Sequence, residues 1–118
     1  MAGWTDVSNA LKGLPGVEKK TSPRRQWRVK DRLLAWERPL RPKDLEELGS
    51  KAPKGPVLGV RVPLEVKEAL LASKQRACFT TRHFDGYPAI LVDLVKISPA
   101  QLKKLLLSAW DSRAGRRP

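Results

Sequence analysis

The apolar positions of this chain fall into short clusters, each with its own period and each ended by Gly, Pro or a charged run. Val7, Ala10 and Leu11 recur at helical spacing behind a cap at Thr5. The run Gly13, Leu14, Pro15, Gly16 then stops them, so a first helix is predicted over Thr5 to Lys12. From Val17 to Arg25 the chain is polar and basic without a core-facing pattern, and reads as a loop around Thr21, Ser22 and Pro23. Gln26 to Val29 and Arg32 to Glu37 are rich in Trp, Val and Leu. Lys30 and Asp31 between them give the spacing of a tight hairpin, although Lys-Asp is not the favoured Asn-Gly turn. Strict alternation puts Trp27 and Val29 on one face with Arg28 on the other, and separates Leu33 and Ala35 from Leu34 and Trp36.

Further on, Pro42 opens and Gly49 closes a short acidic helix containing Asp44, Leu45, Glu46, Glu47 and Leu48. A loop from Ser50 to Pro56 precedes a β-branched strand, Val57 to Val62, which Pro63 ends. The next helix, Leu64 to Ser73, carries Val66, Ala69 and Leu70 on one side. Ala77 to Thr81 and Ala89 to Leu94 read as strands, joined by a connection in which Gly86 supplies a positive φ. Ser98 and Pro99 start a closing helix that buries Leu102, Leu105, Leu106 and Ala109 and turns Lys103 and Lys104 to water. Neighbouring strands without a regular βαβ alternation predict an α+β two-layer sandwich, an antiparallel sheet with helices packed on one face. One domain is expected over residues 1–111, and residues 112–118, with Arg113, Arg116 and Arg117, form an expected disordered basic tail.

Composition supports one core: the chain has 118 residues, 41% of them apolar, and four tryptophans. No apolar run approaches the ~20 residues that span a bilayer, and no basic-then-apolar leader opens the chain, so a cytoplasmic protein away from membranes is expected. The lone Cys78 has no intramolecular disulfide partner and reads as a buried filler. Charge changes the picture more: 24 Lys and Arg stand against 12 Asp and Glu, a net +12, and such a surface attracts polyanions.

Candidate chemistry is sparse. With one histidine and one cysteine, five positions apart and on opposite sides of a continuous strand, His83 and Cys78 form no nucleophile–base pair, and a non-enzymatic protein is expected. Neither CxxC nor HExxH occurs, so no metal is expected. Gly49, Gly55 and Gly59 match no phosphate-cradling pattern, so no cofactor is expected either. What remains is the basic run Lys19, Lys20, Arg24, Arg25, Arg28, Lys30 and Arg32, broken only by Asp31, which a hairpin projects as a wing able to track a phosphate backbone. The expected partner is double-stranded DNA, bound with weak sequence preference. Arg61, Arg76 and Arg82 extend the positive charge to places the sequence does not fix. Trp27 and Trp36 can stack on bases in principle, but tryptophans at alternating strand positions more often belong to a core. The alternative is a protein-interaction or chaperone-like module using the open sheet face, whose sign would be Trp27, Trp36 or Trp110 exposed as one patch.

Several segments together resemble the MmcQ/YjbR-like family: Leu14-Pro15-Gly16-Val17-Glu18, Trp27-Arg28-Val29, Leu33-Leu34-Ala35-Trp36, Lys67 to Ala72, the loop from Phe79 through His83-Phe84-Asp85-Gly86-Tyr87 to Pro88, and Leu102 to Ala109-Trp110. The resemblance spans about Val7 to Trp110. It implies a CyaY-like or secretion-chaperone-like two-layer sandwich, DNA binding through a double-wing surface, and neither enzyme activity nor cofactor. Pro23-Arg24-Arg25 departs from the aromatic or small polar residues of many relatives and adds positive charge. His83, Asp85, Gly86 and Tyr87 match the family pattern, and the loop is expected to be locked by Asp85 turning the backbone and His83 hydrogen-bonding locally.

Overall fold

The computed structural model describes residues 1–73 and 76–114. In chain order the elements are α1 (Trp4–Lys12), β1 (Val17–Lys20), β2 (Gln26–Val29), β3 (Arg32–Glu37), α2 (Pro42–Leu48), β4 (Val57–Arg61), α3 (Leu64–Ala72), β5 (Cys78–Phe79), β6 (Ala89–Asp93) and α4 (Pro99–Arg113). The six strands form one antiparallel sheet in the order β1-β2-β3-β4-β6-β5, giving the expected α+β two-layer sandwich.

The register sorts the sheet's two faces. One cross-strand row, Lys19–Trp27–Ala35–Val60–Ile90, faces α1 and α4, and its apolar members join Leu58, Val92, Leu102 and Leu106 in the main core. α3 adds Val66 and Leu70 to this core, while Ala69, expected beside them, is exposed and Lys67 is buried instead. The opposite row, Lys20–Gln26–Trp36–Gly59–Leu91–Phe79, crosses all six strands and is covered by no long helix. A second, smaller core of Val57, Phe84, Ala89 and Leu91 lies on that face, flanked by Trp36, Leu40 and Phe79.

Four local departures from the expected pattern have simple causes. The segment from Val17 is an edge strand rather than a loop, because backbone pairing with β2 needs no apolar side chain beyond Val17. Strict alternation in β3 fails: Trp27 pairs with Ala35 but Arg28 with Leu33, so Leu34 is an extra, bulged residue and is buried in the main core together with Ala35. The cap of α1 is Gly3 rather than Thr5, with Gly3 N donating to Asp6 Oδ2 at 2.9 Å. The start of the expected tail is ordered instead: α4 runs through Arg113 and Ala114 is buried, while the rest of it, with Arg116 and Arg117, lies outside the described residues.

The two-residue turn is as expected in length. Lys30 and Asp31 both adopt positive φ, 50° and 61°, the left-handed pair that a two-residue hairpin demands. Gly86 likewise has φ 73°, and Ser98 caps α4 by accepting from Gln101 N at 3.1 Å. Trp110 Nε1 donates to Pro15 O at 3.0 Å, fastening α4 to the connection after α1.

Candidate nucleic-acid interface

The seven basic residues of the predicted wing do not act alike. Lys19 points to the helical face, where its ammonium donates to Ser8 Oγ at 3.0 Å and sits 5.5 Å from the Trp27 ring centroid. Arg25 lies 5.0 Å over the Trp4 ring and pairs with Glu37 at 3.2 Å. Arg28 donates to Gln26 Oε1 at 3.2 Å and to Asp31 O at 2.8 Å. Lys20, Arg24, Lys30 and Arg32 are exposed, and their side chains make no hydrogen bond or ion pair among the described residues, which leaves four whole charges for an outside anion.

Two further arginines complete the wing: Arg61, which the sequence left unplaced, and Arg113, which it assigned to the tail. Arg61, on the same sheet face as Arg28, donates from Nε to Pro88 O at 2.9 Å and from Nη1 to Tyr87 OH at 3.2 Å, with its guanidinium 4.9 Å from the Tyr87 ring centroid. Arg113 reaches from the end of α4 to donate from Nε to Leu33 O at 3.1 Å. Burial lowers the pKa of Arg113, and the nearby positive charges of Arg61, Arg32 and Arg28 lower it further, against an opposite influence of Tyr87. Four arginines from β2, β3, β4 and α4 therefore meet at one end of the sheet. Arg82 belongs elsewhere, its backbone N–H held by the Glu47 carboxylate, and Arg76 lines a separate hollow with Lys51 and Lys96.

The loop that follows β5 is locked differently from the expectation. Its fastener is Lys67 of α3, 5% exposed, whose ammonium donates to Phe84 O and, at 2.9 Å, to Tyr87 O. Burial lowers the pKa of Lys67, and Asp85 partly offsets this. Asp85 is exposed. His83 is exposed too and forms no local hydrogen bond among the described residues, its ring packing edge-on to Phe84 at 4.9 Å. Cys78 is buried in the main core, across the sheet from Phe84, so it and His83 are not brought together.

A groove of ≈ 700 Å³ opens on the uncovered sheet face between Arg24–Gln26, Trp36–Pro42 and His83–Tyr87. Its floor is Trp36, half-buried. At one wall Arg38 and Asp44 form an ion pair of 3.1 Å with both side chains under a tenth exposed, and the Arg38 guanidinium lies 5.3 Å from the Phe84 ring centroid. Burial pushes the Asp44 pKa up, but the Arg41 N–H bond at 2.8 Å and the Arg38 charge outweigh it, so the carboxyl sits below its ordinary value. Trp27 and Trp110 are buried, 2% and 6% exposed, so the three tryptophans do not form one exposed apolar patch. Among the described residues no three His, Cys, Asp or Glu side chains gather as metal ligands, and no helix is long and apolar enough to cross a membrane.

Fold and surface define a small α+β sandwich with one helical face and one open, arginine-rich face. Over 97% of its length the chain is 48% identical to Uncharacterized protein Rv2570 of Mycobacterium tuberculosis and to Uncharacterized protein Mb2600 of Mycobacterium bovis, covering 90% of each, and it belongs to the family these proteins form. No family model and no solved structure matches it.

Proposed function

We propose that this protein is a non-enzymatic, cytoplasmic DNA-binding domain of the MmcQ/YjbR kind, gripping duplex phosphates at the basic end of its sheet. The observation that carries this reading is the meeting of Arg28, Arg32, Arg61 and Arg113, from four separate elements, with Asp31 the one acidic side chain paired there. Arginines set this close repel one another, and a phosphate between them removes the repulsion while accepting their N–H groups in pairs. Lys20, Arg24 and Lys30 prolong the track along the β1–β2–β3 side. These are backbone contacts, so the expected binding is strong in charge and weak in sequence preference.

The test is fluorescence anisotropy of labelled random-sequence duplex DNA across a range of salt. Each phosphate contact contributes a slope of about −0.9 in log affinity against log salt. Lys30→Ala and Arg32→Ala should each flatten the slope by about that amount on every sequence alike. Absence of binding at low salt, or an acidic polypeptide competing as well as unlabelled DNA, overturns the reading.

A further inference from the structure

The groove on the open sheet face has a charge and a shape that the wing does not explain. Trp36 pairs across the sheet with Gly59, and a Cβ placed on Gly59 would meet the indole at three adjacent ring atoms, 2.9 Å from Cδ2 and nearer still to Cε2 and Cζ2. Near-equal approach to three ring atoms means that the indole lies flat on the glycine. One π-face is spent on the sheet, and the opposite face forms the groove floor. A flat, half-buried indole facing a solvent-open groove is a stacking platform for another planar ring.

The groove's charges sort into two sets. Arg25 is neutralised by Glu37 and Arg38 by Asp44. Arg24 and Arg41, both in the lining, have exposed side chains without an acidic partner among the described residues. Either uncompensated guanidinium group can pair with a phosphate monoester, which carries a charge of −1.5 to −2 at about pH 7. The groove's ≈ 700 Å³ lies within the ~300–1,000 Å³ typical of small-ligand sites, ample for one base, one sugar and one phosphate.

We infer that this groove binds a nucleoside monophosphate, the base stacked on the free face of Trp36 and the phosphate held by Arg24 or Arg41. The ligand is either a free nucleotide or an unpaired nucleotide at the end of a strand, since both present the same base and phosphate. This site goes beyond the duplex-phosphate reading and does not depend on it: the four arginines on which the wing rests, Arg28, Arg32, Arg61 and Arg113, line no part of the groove, and Arg24 alone borders both.

The full chain is titrated calorimetrically with adenosine 5′-monophosphate, adenosine, inorganic phosphate and a 5′-phosphorylated single-stranded tetranucleotide, the Trp36 indole N–H resonance of the parent reporting where the ligand sits. Saturable binding of the monophosphate is expected, at least about tenfold tighter than adenosine or inorganic phosphate, because stacking and charge pairing act together. Trp36→Leu should weaken it by about tenfold while leaving duplex binding unchanged, and Arg24→Ala or Arg41→Ala, whichever guanidinium holds the phosphate, should weaken it by a similar factor. Tighter binding of the tetranucleotide assigns the site to strand ends, and equal or weaker binding assigns it to free nucleotides. Should Trp36→Leu fail to fold, Arg24→Ala and Arg41→Ala, both at exposed positions, carry the test together. Monophosphate binding no tighter than inorganic phosphate, or unmoved by these folded variants, overturns the inference.

Discussion

The indole of Trp36 rests flat on the backbone of Gly59, its cross-strand neighbour, in the space a side chain would otherwise fill. The glycine is required by this close approach rather than by an unusual φ. Gly59→Ala should force the ring off the sheet and cost about 1–3 kcal/mol, as overpacking does elsewhere. Thermal unfolding measures the loss, and Trp36 fluorescence should shift to the red as the ring gains solvent.

The buried Arg38–Asp44 pair predicts a pH signature. Asp44→Asn strands a buried guanidinium and should cost about 3–5 kcal/mol at neutral pH. Because the folded Asp44 pKa lies below its unfolded value of about 3.9, its contribution is complete above that value and is lost as pH falls through the folded pKa. Denaturant unfolding should therefore show the parent and the variant converging in acid and separated at pH 7.

Lys67 makes a prediction about motion. Lys67→Met keeps the aliphatic stem but removes the charged donor shared by Phe84 O and Tyr87 O, leaving these carbonyls only their backbone bonds from Tyr87 N and Ala89 N, a loss of about 1.5–3 kcal/mol. Hydrogen exchange should accelerate at Asp85 and Tyr87, whose N–H groups close the turns of this loop, and stay unchanged in α4.

The β2–β3 turn offers a stabilising change. Asp31 holds φ 61° without hydrogen-bonding help from its fully exposed side chain, beyond a long 3.8 Å contact with Arg28. Asp31→Gly removes the Cβ penalty of that conformation and should raise stability by about 1 kcal/mol, read from the denaturant midpoint.

Local signals made much of this fold legible. Pro42 and Gly49 bracket α2, Ser98 and the leucine stripe fix α4, and the two-residue gap at Lys30-Asp31 gives the hairpin. β1 was illegible because three of its four residues are charged and its only instruction is the partner strand. The Leu34 bulge defeats period-two reasoning in the same way, since nothing local announces an inserted residue. At the candidate site, the basic run gave the wing's charge but not its geometry: Lys19 and Arg25 look outward in sequence and are tied down in space. Arg61 and Arg113 join Arg28 and Arg32 only because β4 and α4 finish at the same end of the sheet. Arg38, Asp44 and Lys67 carry no signal, as their burial is created by elements distant in sequence.

The sheet's outermost strands limit how the molecule can associate. β5 has two residues, and β1 has four, three of them charged and exposed, so an incoming strand finds either no length to pair with or a short margin of charged side chains. Main-chain zippering of one copy onto another is thereby discouraged at both margins. A concentrated stock of this protein should stay dispersed at low salt, with its contacts to other molecules made through side chains rather than through shared strands.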